Sequence, residues 1–365
     1  MKNYNVCFRV DASSFIGMGH LMRCLSLADY LKQNGYKCHF LARNFNTKIL
    51  NVVKRSQHSL HLLPKKKMVI ININKSKFIY SDWLQVTQQV DFMESYKFIK
   101  KINPGLVVVD HYGIDKTWHL LAKQRGLKLF VLDDLGDRQH YCDILLDTTP
   151  GRKKDDYLGK INREAILLLG NNYCIIRDEF LKLRKLSLRR DRTRLSKLMV
   201  SMGGMDADNN TLKIMEKLKT LDLDIKITFI MGNETKDHKK IIALSKQLNV
   251  KNMVLPYSTS ISKLMLESDL AIGTPSVTAL ERCCMGLPSI NITTSRNQKT
   301  IASNLEDIGA AIDLGRIEKL SSQKIVKTIN NIYLNKKYLK SMSVESSKVC
   351  DGLGKDRILE KINDL

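Results

Sequence analysis

Residues 8–25 have the sequence FRVDASSFIGMGHLMRCL, which joins a predicted strand to a predicted helix through a turn with two glycines. Apolar side chains alternate with other residues along Val6–Val10 and recur at helical spacing after the turn. Gly17 and Gly19 allow the backbone to turn tightly and to approach a ligand. His20 follows at the predicted helix start, where amide groups and the helix dipole favour an anion. This stretch predicts an α/β fold and leaves His20 either a catalytic or a structural role.

The turn differs from the dinucleotide-binding fingerprint GxGxxG. The third glycine of that pattern falls on Met22 here. The fingerprint also expects an acidic ribose-binding residue at the end of the second strand, where this chain has Leu41-Ala42-Arg43. We therefore expect neither a nicotinamide nor a flavin cofactor, and no other cofactor is indicated.

The composition indicates a soluble globular protein. Its 365 residues suffice for two domains with a sizeable core. The first residues run into the predicted strand without an apolar leader, and no stretch of about eighteen uninterrupted apolar residues follows. The eight cysteines form no CxxC pair and lack metal-ligand spacing. We expect a cytoplasmic location, reduced cysteines, no bound metal and no stable membrane insertion, while the oligomeric state stays open.

The net charge of +23 is the largest deviation in composition. Such an excess fits nucleic acid, an anionic membrane surface or a phosphate-bearing substrate. The basic residues are spread along the chain, and the densest run, residues 184–194, is typical of an exposed face or linker. No recognition helix or aromatic and basic platform accompanies it, so we do not expect nucleic acid as a partner.

Apolar runs that end in carboxylates indicate a parallel sheet in the first half of the chain. The clearest runs are residues 105–110, 127–134 and 144–147. Ligands of such sheets bind beyond the carboxyl ends of the strands, where Asp110, Asp133 and Asp134 are expected. Residues 51–92 are less regular, and we interpret them as helix with a variable insertion.

The alternation of strands and helices restarts at residues 198–206, where a strand again enters a glycine turn. We predict two Rossmann-like domains that face each other across a cleft. The first domain covers residues 1–165, the second covers residues 166–320, and residues 321–365 form a helical extension. The extension either returns to the first domain or mediates association.

Residues 273–288, GTPSVTALERCCMGLP, form a second candidate site after a predicted strand. Ser276 or Thr278 is placed to cap the following helix, whose early N–H groups then face a phosphate. Glu281 lies one turn after Thr278, where a carboxylate either holds two ribose hydroxyls or merely complements the helix dipole.

Taken together, these motifs resemble the GT-B group of nucleotide-sugar enzymes, and the features of the second half resemble its MurG-like branch. Between about residues 5 and 312 the match narrows to the UDP-2,4-diacetamido-2,4,6-trideoxy-β-L-altropyranose hydrolases of pseudaminic acid biosynthesis. The motifs that carry it are Arg9-x-Asp11, Gly17-x-Gly19-His20-x-x-Arg23, Asp110-His111-Tyr112-Gly113, Leu132-Asp133-Asp134, residues 142–147 and residues 176–180.

The resemblance implies an inverting, metal-independent hydrolase that attacks the anomeric carbon with water and releases UDP. It implies that His20 is the base, that Asp11 orients the loop or a substrate hydroxyl, and that Tyr112 contacts sugar or water. His111 is a weaker rival for the base. The other substrate-binding residues implied are Gly17, Gly19, Arg23, Gly203, Gly204, Thr278, Glu281, Asn297 and Gln298, with the diphosphate near Gly203 and Thr278 and the ribose on Glu281.

Two other functions remain open at this point. A MurG-like glycosyltransferase would pass the same activated sugar to an acceptor. A non-enzymatic module would only bind the nucleotide sugar. The motifs around Asp11 and Asp110 favour the hydrolase, and an intact His20 disfavours a module without activity.

Overall fold

The structure is a computed structural model, and it describes residues 4–13, 16–43, 47–64, 79–257 and 260–365. Ser14 and Phe15 of the first motif, and residues 65–78 of the predicted insertion, lie outside the described residues. The chain divides into two compact units, one comprising Met1–Ile175 with Gly354–Leu365 and the other comprising Ile176–Leu353. The division thus falls after Ile175 rather than after residue 165.

Unit 1 is an α/β unit built on one parallel sheet, in which the described residues form seven strands in the order β3-β2-β1-β4-β5-β6-β7. Its elements up to residue 169 are β1 (Tyr4–Val10), α1 (Gly19–Gln33), β2 (Tyr36–Ala42), α2 (Thr47–Arg55), β3 (Ser59–Leu62), α3 (Gln88–Ile102), β4 (Leu106–Asp110), α4 (Lys116–Lys123), β5 (Leu129–Leu132), β6 (Ile144–Asp147) and β7 (Ile166–Leu169).

Unit 2 is a second parallel α/β unit, and its described strands number six, in the order β10-β9-β8-β11-β12-β13. Its elements are α5 (Asp178–Leu188), β8 (Lys197–Ser201), α6 (Asn210–Lys217), β9 (Lys226–Ile230), α7 (His238–Ser245), β10 (Lys251–Leu255), α8 (Ile261–Glu267), β11 (Leu270–Gly273), α9 (Val277–Cys284), β12 (Ser289–Thr293), α10 (Lys299–Asp307), β13 (Ala311–Arg316), α11 (Ser322–Leu334) and α12 (Lys336–Val349).

The predicted fold class is confirmed, and both candidate sites lie where a sheet reverses its strand order. In unit 1 the order reverses between β1 and β4, with Val10 beside Asp110. In unit 2 it reverses between β8 and β11, with Ser201 beside Gly273. Loops that leave neighbouring strands at such a point diverge to opposite faces and leave a crevice for ligands.

The first motif forms the strand, turn and helix that its sequence pattern predicts. On one face of β1, Phe8 belongs to the same apolar cluster as Leu25 of α1, while Cys7 belongs to a separate apolar cluster. Burial on both faces explains why this strand is apolar over most of its length. Gly17 adopts φ +86°, a conformation that glycine takes without steric cost.

The helical extension divides between the two units. Residues 321–353 lie in unit 2, and the last helix, α13 (Gly354–Asn363), lies in unit 1. Ile358 and Ile362 join the core cluster of unit 1, and the hydroxyl of Tyr30 donates a hydrogen bond to Asp356 at 2.5 Å. The last helix therefore packs on unit 1, in line with one of the two alternatives for the extension, while the rest of the extension belongs to unit 2.

Candidate functional site

His20 and Asp110 form a close pair at the carboxyl end of the unit 1 sheet. Nδ1 of His20 lies 2.6 Å from Oδ1 of Asp110. Because an ionised carboxylate only accepts hydrogen bonds, Nδ1 carries the proton and donates it. Among the described residues, Nε2 of His20 has no hydrogen-bond partner. This tautomer leaves the Nε2 lone pair available to accept a proton from a bound molecule.

Arg23 keeps Asp110 ionised. Its Nε donates to Oδ2 of Asp110 at 2.7 Å, and its Nη2 donates to Oδ1 at 2.7 Å. Burial raises the pKa of Asp110, but Arg23 and then His20 outweigh burial and hold that pKa well below its usual range. Nη1 of Arg23 donates to both oxygens of Asp134, at 2.9 and 2.7 Å. Arg23, predicted to bind substrate, is thus directed at two protein carboxylates.

Tyr112 lies directly against the ring of His20. The two ring centroids are 4.4 Å apart and the planes meet edge to face at 89°. Trp83 stacks on Tyr112, with centroids 5.4 Å apart, and also meets the ring of His20 edge to face, with centroids 5.9 Å apart. The Tyr112 hydroxyl donates to Asp134 at 2.5 Å. Burial and the nearby Asp134 raise the pKa of Tyr112 well above its usual value, so the phenol is neutral at physiological pH.

Asp11 is fully buried and belongs to a network of buried charged and polar side chains. Its Oδ1 accepts the backbone N–H of Arg43 at 2.7 Å, and its Oδ2 accepts Nη2 of Arg9 at 3.0 Å. Nε2 of His111 lies 3.1 Å from the same Oδ2, and Nδ1 of His111 accepts the N–H of Gly113 at 3.0 Å. Both nitrogens of His111 are therefore engaged, which disfavours it as the base. The contacts of Asp11 fit its predicted role in orienting the loop better than a substrate contact.

The sequence analysis missed Asp91, which is the centre of this network. Its carboxylate accepts Nη2 of Arg9 at 2.8 Å, Nη2 of Arg43 at 2.9 Å and Nε1 of Trp118 at 3.1 Å. Asp91 is fully buried in the first turn of α3. The available signal was Arg9 itself, because an arginine inside an apolar strand requires a buried acid.

In unit 2, the glycine loop after β8 and the loop after β11 approach each other. Gly203 has φ +113°, and a Cβ placed on it would lie 4.0 Å from Oγ1 of Thr274. A Cβ on Gly204 would lie 3.7 Å from the ring of Tyr257. These loops therefore form a small polar surface at the point where the strand order reverses.

Helices α6 and α9 both begin at this surface, and they differ in whether the backbone N–H groups of their first turns have hydrogen-bond partners. Asp206 accepts the N–H groups of Asn210 and Thr211, at 2.7 and 3.0 Å, and so closes the start of α6. Ser276 precedes α9 without a side-chain capping bond. The backbone N–H groups of Val277 and Thr278 have no partner among the described residues. Only α9 of these two helices thus offers open N–H groups to an anion.

Glu281, predicted to hold the ribose, is buried and already paired. Nε of Arg177 donates to its Oε1 at 2.6 Å, and Nη2 donates to its Oε2 at 2.9 Å. Arg177 also donates to Glu179 at 2.8 Å. A carboxylate has about four lone-pair sites, so this bidentate pair leaves acceptor capacity for a hydroxyl.

Asn297 and Gln298 bond within their own loop. Oε1 of Gln298 accepts the N–H of Thr294 at 2.8 Å, and Oδ1 of Asn297 accepts the hydroxyl of Ser295 at 2.6 Å. These contacts are typical of residues that shape the start of a helix, here α10. Within the part of the chain that the structure describes, no group of three or more His, Cys, Asp or Glu could hold a metal ion. No described helix is both long and apolar enough to cross a membrane.

Comparison with known proteins gives one family match over part of the chain and a clear likeness of fold. Residues 198–358 match the glycosyltransferase family 28 C-terminal domain. MurG of Acinetobacter baumannii superposes with a TM-score of 0.72 at 16% identity, covering 99% of this chain and 100% of MurG. At that identity the likeness shows the fold alone, and the fold is GT-B.

Relatives by sequence are distant. The UDP-2,4-diacetamido-2,4,6-trideoxy-β-L-altropyranose hydrolase of Campylobacter jejuni is 26% identical over 84% of this chain and 98% of its own length. An uncharacterised protein of Methanocaldococcus jannaschii is 27% identical over 77% of this chain, which spans about half (54%) of that protein. The chain therefore has the GT-B fold and resembles enzymes that process UDP-sugars.

Proposed function

We propose that this protein hydrolyses UDP-2,4-diacetamido-2,4,6-trideoxy-β-L-altropyranose to UDP and free 2,4-diacetamido-2,4,6-trideoxy-L-altrose, a step of pseudaminic acid biosynthesis. The observation that carries the proposal is the His20–Asp110 pair, with Nδ1 held at 2.6 Å and Nε2 without a partner among the described residues. The likeness to the Campylobacter hydrolase, along nearly all of that protein, supports the choice of substrate.

In the proposed step, Nε2 of His20 takes a proton from water as the water oxygen bonds to the anomeric carbon. The bond between that carbon and the diphosphate oxygen breaks, and its electron pair leaves with UDP. Attack from the face opposite UDP inverts the anomeric centre. The ionised Asp110 stabilises the imidazolium that forms, as in other His–carboxylate pairs. UDP is a good leaving group, so a second carboxylic acid of the glycosidase type is not required.

Unit 2 supplies the proposed nucleotide site. The diphosphate would accept hydrogen bonds from the open N–H groups of Val277 and Thr278, next to the glycine loop at Gly203. The free acceptor capacity of Glu281 would hold the ribose hydroxyls. The closure of α6 by Asp206 supports α9 as the diphosphate helix, since the other helix start at this surface is already satisfied.

Two observations favour a second candidate, a MurG-like glycosyltransferase. Residues 198–358 match a glycosyltransferase domain, and the fold matches MurG. In that case an acceptor hydroxyl would take the place of water at the anomeric carbon. The nucleotide chemistry would be the same, so the two candidates differ only in the nucleophile.

The test is incubation of the purified full chain with the UDP-sugar in ¹⁸O-labelled water without an acceptor. We expect one labelled oxygen at C1 of the free sugar and none in UDP. Label in UDP would place the attack at phosphorus and refute the mechanism. Turnover that begins only when an acceptor sugar is added would refute hydrolysis in favour of transfer.

A further inference from the structure

Arg282, on α9, is a buried cation that forms no ion pair among the described residues, although the neighbouring Glu281 carboxylate, itself paired with Arg177, acts on it electrostatically. Only 2% of its surface is exposed. Nη2 donates to the carbonyl oxygen of Thr274 at 3.1 Å and to Oδ1 of Asn291 at 3.0 Å. Nε is buried without a hydrogen-bond partner, as is Nδ2 of Asn291. Burial lowers the pKa of Arg282 to about 10, so the guanidinium is still charged at physiological pH.

The guanidinium lies beneath the loops that form the proposed diphosphate site. A Cβ placed on Gly273 would lie 2.7 Å from Nη1 of Arg282. Thr274, whose carbonyl accepts from Nη2, is also the residue that faces Gly203. Asn291 belongs to β12, the strand beside β11. Arg282 therefore sits where the carboxyl ends of β11 and β12 meet the glycine loop.

We propose that Arg282 is a positioning residue that supplies the positive charge beneath the diphosphate of the bound nucleotide. This inference rests on the proposed nucleotide site, but it is independent of whether water or an acceptor attacks the sugar. An isolated buried cation is unfavourable, and an anion placed beside it removes part of that penalty. The same charge would stabilise the negative charge that gathers on UDP as it leaves.

The competing explanation is that Arg282 only links two strand ends. Arg192 provides the matched comparison within unit 2. It is 1% exposed, and it donates to the carbonyl oxygens of Ser187 and Ser268 and to Oγ of Ser187. Burial also lowers its pKa to about 10. Ser268 precedes β11, so Arg192 lies near the amino end of that strand, whereas the proposed diphosphate site lies beyond its carboxyl end.

The experiment measures the affinities of UDP and uridine for the full chain, by calorimetry for UDP and by ligand-observed NMR for uridine. The variants are R282Q, R282K and R192Q. We expect R282Q to weaken UDP binding about ten- to hundredfold, the range for a lost hydrogen bond or contact to a charged group, and to leave uridine within about twofold. R282K should retain more UDP affinity than R282Q because it keeps the charge. R192Q should lower the melting temperature but leave UDP binding unchanged.

Unchanged UDP affinity in R282Q would overturn the role of Arg282. An equal loss of UDP affinity in R192Q would also overturn it, because the effect would then follow from general destabilisation. If R282Q does not fold, R282K and R192K replace the pair, and a UDP affinity lowered equally in both would count against the proposal. If the unaltered chain binds UDP no more tightly than uridine, both the proposed nucleotide site and the role of Arg282 are refuted. This outcome is known before any variant is compared.

Discussion

Replacing His20 with Asn tests the proposed base while preserving the contact that holds it. The amide Nδ2 of an asparagine reaches about the position of Nδ1 in a histidine, so His20→Asn keeps a donor toward Asp110. The variant lacks Nε2, the nitrogen that would accept the proton from water. General base catalysis contributes about 10²- to 10⁴-fold to a rate, and we expect kcat to fall within that range while KM changes little.

The structure also sets the expected loss of stability. The imidazole packs edge to face on Tyr112, with centroids 4.4 Å apart. Loss of an aromatic pair costs about 1 kcal/mol in free energy of unfolding, which lowers the melting temperature by about 2–4 °C in a unit of this size. A variant that melts close to the unaltered chain but turns over at least about a hundredfold more slowly would therefore identify a loss of chemistry rather than of folding.

The assay follows UDP release with purified UDP-sugar at saturating concentration. His58→Gln is the matched control, because Nε2 of His58 also lies 2.8 Å from a carboxylate, that of Asp29, and glutamine retains a donor at that position. We expect the control to keep near-normal kcat. A kcat within about threefold of normal in His20→Asn would refute His20 as the base, whatever the identity of the substrate.

Three further predictions concern the surroundings of the site. Burial and, next, the nearby Asp134 raise the pKa of Asp147 to about 7, so the folded chain retains a proton that the unfolded chain releases near pH 4. The free energy of unfolding should therefore fall between about pH 4.5 and 7 and be constant above that range. The same fall with pH in Asp147→Asn would contradict this cause. Trp83→Leu removes the ring stacked on Tyr112 and should lower kcat/KM roughly fivefold, so an unchanged value would remove Trp83 from the site. Asp91→Asn removes the carboxylate that pairs with the buried Arg9 and Arg43, and it should lower the free energy of unfolding by about 3–5 kcal/mol in urea denaturation. A decrease below about 1 kcal/mol would contradict the position of Asp91 at the centre of the buried network.

Local patterns in the sequence were sufficient for most of the fold. Apolar runs buried on both faces of the sheet, such as Leu106–Asp110, carry a strand signal in every residue. The edge strand β3 carries almost none, because Ser59–Leu62 is short and three of its four residues are exposed. Burial on both faces thus made the central strands predictable, whereas the edge strands β3, β7 and β13 were not among the predicted runs.

The pairing of charged residues was much harder to predict. His20 and Asp110 are 90 positions apart, and only the strand order that places β1 beside β4 brings them together. The sequence pattern placed both residues at a ligand-binding edge but did not indicate which acid would meet which base. Glu281 shows the same limit, since its partner Arg177 lies 104 positions away in a separate motif. Long-range ion pairs depend on topology, which local periodicity does not encode.

The difference in charge balance between the two units fits the proposed roles of their two candidate sites. Around His20, the single cation of Arg23 lies between two carboxylates, those of Asp110 and Asp134, so the network has one more carboxylate than cations and orients the base without attracting an anion. In unit 2, Arg282 forms no ion pair among the described residues because the nearby Glu281 carboxylate is paired with Arg177, and the first turn of α9 adds the positive end of a helix dipole. The proposed base, which has to accept a proton at neutral pH, requires the first environment, and the proposed diphosphate site, which has to bind and release UDP, requires the second. A net positive charge beside His20 would disfavour protonation of the base, and a carboxylate beside Arg282 would weaken the binding of a diphosphate. The charge of Arg282, rather than its hydrogen bonds to the strand ends, is therefore the property to test.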